Sequence, residues 1–185
     1  MAICPVLRMG DPNLLRQADV VPELRIPDLD DTIRDMVDTM RALDGAGLAA
    51  PQIGINQRIV VFEVESNPRY PDAEPVPLTV LINPEIEVVS YATEADWEGC
   101  LSVPGMRGLV TRYTEIRYRG LQADGSTVTR DAAGFHARVV QHEYDHLDGI
   151  LYPMRITDMR NFGFEQELWA ENDIAFAPDY PNETP

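Results

Sequence analysis

Apolar positions fall at helical spacing near both ends of the chain and in dense, strand-like runs between them. Ile33, Met36, Val37 and Met40 form one stripe, which predicts a helix over Pro27–Leu43, with Asp31 or Thr32 as its cap and Asp44–Gly47 as its stop. Ile59–Val64 (IVVFEV), Leu78–Asn83 (LTVLIN) and Glu85–Ala92 (EIEVVSYA) read as strands. A proline-rich stretch, ESNPRYPDAEPVP, separates the first two and reads as a surface loop. Leu109–Arg119 and Thr127–Arg130 read as two further strands, joined through a turn at Asp124–Gly125. A second helix is expected from Asp131 to Leu147, where Phe135, Val139, His142 and His146 share a face and Gly149 suits the end. Phe164–Trp169 has the length for a short third helix. Strands grouped between helices, without regular alternation, predict an α+β fold. Its strands are mixed, mainly antiparallel, and packed around the second helix, with the first as an N-terminal helix. No repeat or break in composition divides residues 1–185, so a single domain is expected, with a frayed tail over about 175–185.

Charge narrows the partners. The net charge is −16, and all 15 basic residues are arginine. Such a chain repels phosphate backbones, which argues against nucleic acid. No apolar run is long enough to cross a membrane. The start, MAICPVLRMGDP, lacks the basic and apolar regions of a signal peptide, so the cytoplasm or an organelle interior is the expected location. From Asn161 to Pro185 there are six acids (Glu165, Glu167, Glu171, Asp173, Asp179 and Glu183) and no base. Two cysteines, Cys4 and Cys100, are too few for a disulfide scaffold, and Cys4 reads as a small buried side chain.

The chemistry concentrates in QHEYDHLDG, Gln141–Gly149. At about 3.6 residues per turn, His142 and His146 stack on one helix face, where both imidazoles can reach one ion. Glu143 is turned about 100° away from His142, placed to meet a water rather than to ligate. The same pattern occurs on ordinary solvated helices. Against that reading, both histidines share the face that carries Phe135 and Val139. A catalytic site of this kind needs a third protein ligand and an open position. The extended peptidase pattern HExxHxxGxxH fails, because Tyr152 stands where the third histidine belongs. A zinc endopeptidase with Glu165 or Glu167 as third ligand stays open. So does a thiolate ligand, Cys100 in WEGCLSVPG, flanked by Gly99 and by a turn at Pro104–Gly105. No histidine–acid pair stands beside Ser102, which argues against a serine hydrolase.

Three motifs, GAGLAAPQIG (Gly45–Gly54), EGCLS (Glu98–Ser102) and QHEYDHLDG, together resemble the peptide deformylase family in order and spacing, over roughly Pro5 to Tyr152. The resemblance implies that Cys100, His142 and His146 hold one divalent metal ion, Fe²⁺ natively, with Zn²⁺, Ni²⁺ or Co²⁺ as substitutes. It implies removal of the formyl group from N-formylmethionyl peptides, with release of formate. Glu143 would carry a proton from water to the departing amine. The Gln52 side chain and the Leu101 backbone N–H would stabilise the oxyanion. Gly47 and Gly99 would meet the substrate backbone, and Ala46, Phe135 and Val139 would form an apolar pocket for methionine. Glu98 is left as a surface carboxylate or as the ion-pair partner of Arg107. Some bacterial members end in a basic helix that docks on the ribosome; the acidic tail here predicts no such contact. An inactive homologue kept as a binding module is the non-enzymatic alternative, against which the intact Gln52, Cys100, His142, Glu143 and His146 argue.

Overall fold

The computed structural model describes residues 3–22, 29–64 and 75–169. The loop expected over most of ESNPRYPDAEPVP, the predicted helix start at Pro27, and the tail with Glu171, Asp173, Asp179 and Glu183 lie outside these residues. The first helix, α1, spans Leu29–Ala42 and buries Ile33, Met36, Val37 and Met40, the stripe that marked it, together with Leu29. Asp31 and Thr32 lie within its first turn and do not cap it from outside.

Among the described residues, six strands make one antiparallel sheet in the order β1-β2-β3-β4-β5, with β6 added to β4. They are β1 (Gly47–Ala49), β2 (Ile59–Val64), β3 (Val76–Cys100), β4 (Val103–Leu121), β5 (Thr127–Ala133) and β6 (Phe162–Phe164). The second helix, α2, follows as Gly134–Leu147, and a short α3 as Glu165–Leu168.

Two of the expected strands are one. Leu78–Asn83 and Glu85–Ala92 both belong to β3, which runs 25 residues and ends on Cys100. The Asn83–Pro84 interruption survives only as a bulge. Asn83 takes a left-handed φ of 51°, and the register with β4 shifts between Ile82 and Glu85. The sheet also delays α2. Asp131, the expected helix start, pairs across β4 with Arg117, and β5 continues through Ala133 opposite Glu115. Backbone groups of residues 131–133 thus find partners in the ladder before the helix begins.

Strand β2 is apolar except at Glu63, because both of its faces are covered. Val60, Phe62 and Val64 join Leu81, Ile116 and Tyr118 under Ala137, Val140 and Leu147 of α2. Ile59 and Val61 turn the other way, to Met36, Val37 and Met40 of α1. Truncating a side chain such as Phe62 in this layer costs about 3–5 kcal/mol. Just past the end of α2 and its cap Asp148 stands Gly149, whose φ is 71° and where an added Cβ would stand 2.6 Å from the Leu15 backbone. These contacts fix α2 beside the last residues of β3, which brings two sequence-distant motifs together. No helix of the described residues is long and apolar enough to cross a membrane.

Candidate metal centre

Cys100 closes β3, and the chain turns through Leu101 and Ser102 into β4. Its Sγ lies 3.3 Å from Nε2 of His146. One ligand atom from each of Cys100, His142 and His146 falls within 4.8 Å of the others, and all three residues are buried. Burial alone would raise the Cys100 thiol, but the neighbouring imidazoles of His146 and His142 draw it well below its usual value.

Strand alternation explains the support behind the cluster. Glu98 and Cys100 are two residues apart in β3 and turn to the same buried side. The Nδ1–H of His142 donates to Oε2 of Glu98 at 2.9 Å, which leaves Nε2 free for an ion. Arg112 donates twice to Glu98, from Nε and Nη2, both at 2.9 Å, and Arg138 adds a third bond at 2.9 Å. Arg112 also reaches Asp145 at 2.5 Å, and Arg155 pairs with Asp145 from the outer side. Burial pushes the Glu98 carboxyl up, yet the bonds from Arg112 and His142 outweigh it and hold Glu98 well below the usual carboxylate range.

Glu98 is therefore not a surface carboxylate, and it does not pair with Arg107. The β3–β4 register sets Glu98 opposite Gly108, so Arg107 points to the other face and Arg112 to the same one. Arg107 pairs instead with Glu165, at 3.3 Å. That contact also removes support from the endopeptidase reading: among the described residues, the cluster that can hold an ion is Cys100, His142 and His146, without Glu165 or Glu167. Tyr152, in place of the extended motif's third histidine, is buried and stacks on the His142 ring at 6.0 Å.

Beside the cluster, Glu143 is buried, and burial raises its carboxyl to about 7. Its Oε2 has no hydrogen-bond partner among the described residues. Gly47 lies flat against it: a Cβ there would stand 2.4 Å from Oε1. Gln52 sits in a short turn, Ala50–Ile53, that follows β1. Its Oε1 accepts the Ala49 N–H at 2.8 Å, and its Nε2 faces Cys100 Sγ at 3.4 Å and Ser102 Oγ at 3.1 Å.

A cleft partly open to solvent meets this group of side chains. Gly45, Ala46, Gly47 and Gln52 line one wall, and Glu98, Gly99, Cys100 and Leu101 another. Phe135, Val139, His142 and Glu143 of α2 close it. All the residues singled out from the three motifs and the helix face thus converge, except that His146 lies behind the lining. Trp97 and Arg138 also line the cleft and were missed. Arg138 had a signal, since it stands four residues before His142 on the ligand face of α2. Trp97 had only its place in WEGCLSVPG.

The donor set fits a divalent ion. One thiolate and two imidazoles, buried together, with one imidazole oriented by a carboxylate, match the three-ligand catalytic pattern.

The model of the polypeptide deformylase family matches residues 3–162. The chain is 59% identical over 173 residues to peptide deformylase 1 of Nitrosomonas europaea, covering 94% of this chain and 98% of that one. It is 58% identical over 169 residues to peptide deformylase 2 of Ralstonia nicotianae, covering 91% and 96%. Among solved structures, the class I type b peptide deformylase of Acinetobacter baumannii with Met-Ala-Ser bound superposes with a TM-score of 0.80 at 40% identity, covering 84% of this chain and 99% of that one. A peptide deformylase of Synechococcus elongatus in complex with actinonin gives 0.76 at 36% identity, covering 85% and 81%. With the family matched across most of the chain, and with its α+β sheet and metal-ligating cluster present, this protein belongs to the polypeptide deformylases, metallohydrolases that remove the formyl group from peptide N-termini.

Proposed function

We propose that this chain hydrolyses the formyl group of N-formylmethionyl peptides on an ion held by Cys100, His142 and His146, with Glu143 as the proton carrier. The observation that carries the reading is the convergence of those three ligand atoms within 4.8 Å beside the buried Glu143 carboxyl, whose Oε2 has no hydrogen-bond partner among the described residues. A bound divalent ion supplies Lewis-acid activation of water and of the formyl oxygen near neutral pH.

The protein's own groups do the rest. A water oxygen adds to the formyl carbon while Glu143 takes its proton; the carbon–nitrogen bond then breaks, and Glu143 returns the proton to the amine. A carboxyl raised to about 7 by burial is suited to both directions of transfer. Gln52 Nε2–H and the Leu101 backbone N–H stabilise the negative charge that develops on the formyl oxygen. Gln52 is held for this by its own bond from the Ala49 N–H and sits next to Cys100. Gly47 and Gly99 let the substrate backbone approach, and the methionine side chain enters between Ala46, Phe135 and Val139.

Fe²⁺ is the native ion in this reading, with Zn²⁺, Ni²⁺ or Co²⁺ as working substitutes; a thiolate among the ligands suits each of them. The bacterial origin of the matched relatives supports a bacterial cytoplasm as the compartment. The acidic end of the chain gives ribosomal RNA no attractive surface.

The test is formate release from a formyl-methionyl peptide by protein prepared without oxygen, since Fe²⁺ and its thiolate ligand both oxidise. Metal analysis runs in parallel. One ion per chain and stoichiometric formate are expected; a filled site that releases none contradicts the proposal.

A further inference from the structure

The outer wall of the cleft is aromatic, and it ties the last described residues to the site. Trp97 lines the cleft next to Gly99 and meets Trp169 edge to face, with ring centroids 5.8 Å apart. Alternation along β3 turns Glu98 and Cys100 to the ligand cluster and Trp97 away from it, so the indole stands at the rim. Trp169 directly follows α3, and the Arg107 guanidinium lies over its ring at 6.0 Å. Arg107 is buried and also holds Glu165, the first residue of α3. Pairing of Arg107 with Gly163 fastens β6, and with it α3, to β4. Yet Trp169 remains 49% exposed, so this anchoring presents an indole to solvent and does not bury it in the core.

We propose that Trp97 and Trp169 form a shelf for the side chain that follows methionine in the formylated peptide, and that the shelf favours an aromatic residue there. The proposal rests on reading the cleft as the deformylase substrate site. Ala46, Phe135 and Val139 take the methionine beside the ligands, which leaves the rim for what comes next in the peptide. The edge-to-face contact and Arg107 cover part of the two rings, but Trp169 keeps exposed ring surface at the rim, and a third aromatic group packs well there. Trp97 and Trp169 are specificity-determining residues in this account, and Arg107 and Glu165 are positioning residues for Trp169.

The chain has two tryptophans, both in this pair, so tryptophan emission reports the shelf alone. Formate release is measured with the metal-loaded full chain on formyl-Met-Phe-Ala and formyl-Met-Gly-Ala. In Trp169→Ala, KM for the Phe peptide relative to the Gly peptide is expected to rise roughly two- to tenfold. The change should fall in KM rather than kcat, and Trp169→Phe should restore it. The product Met-Phe-Ala should shift the emission of the unaltered protein more than Met-Gly-Ala does. An unchanged KM ratio in Trp169→Ala, or an equal rise for both peptides, overturns the shelf. If the unaltered protein cleaves neither peptide, the deformylase reading fails on its own. The emission titration then still decides, and no difference between the two products sinks the shelf.

Discussion

Glu98 and His142 come from motifs 44 residues apart and meet through a 2.9 Å hydrogen bond from Nδ1 of the imidazole to the carboxylate. Two arginines, Arg112 and Arg138, hold the carboxylate from behind. The ligand's orientation is therefore set by the sheet and not by the helix alone.

Glu98→Gln keeps the size of the side chain and removes its charge. It leaves two buried guanidiniums without their shared anion, which costs about 3–5 kcal/mol of stability. Metal affinity should fall about 10–100-fold, the usual effect of losing a carboxylate that orients a ligating histidine. Denaturant titration and chelator competition measure the two effects, and unchanged affinity would show that His142 is oriented by packing alone.

Gly47→Ala tests the carboxylate that does not ligate. The new Cβ would stand 2.4 Å from Oε1 and 2.6 Å from Cγ of Glu143, so the side chain must swing away or β1 must shift. The expected result is full metal content with kcat lowered by about 10²–10⁴, the range for losing a positioned proton carrier. A variant with kcat within twofold of the original contradicts the tight placement of Glu143.

His136 lies away from the ligands, half-buried between Phe62 and Tyr118. Burial, with a smaller push from Arg130, lowers its pKa below the ordinary 6.5. The unfolded chain therefore binds this proton more readily than the folded one, and stability rises with pH across the window. The contribution is fully present above pH 6.5 and is lost as pH falls from there through the lower folded value. Unfolding midpoints of the metal-loaded protein on both sides of pH 6.5 should separate less in His136→Gln than in the original. Equal separations would mean that other groups carry the acid sensitivity.

Much of the site was legible because its chemistry needs rare residue types. His142 and His146 at helical spacing, and Cys100 in a glycine-flanked turn, announce themselves locally. Glu98 did not. Its partners Arg112, Arg138 and His142 are placed by the β3–β4 register and by the seating of α2, which are tertiary facts. The same limit separated the two halves of β3: Asn83 and Pro84 look like a terminus, and only pairing with β2 and β4 carries the strand across them. Strand β1 was hidden for the reverse reason, since Gly47–Ala49 has no strand signature of its own and is recruited by Val60–Phe62. The start of α2 was read three residues early because the pattern inside Asp131–Ala133 does not show that β4 will claim it.

The most direct test of the central claim is Glu143→Gln, loaded without oxygen and assayed for formate release from a formyl-methionyl peptide. The account predicts one ion per chain, as in the original, with kcat lower by about 10²–10⁴. Formate release at the original rate, with the ion in place, would contradict it.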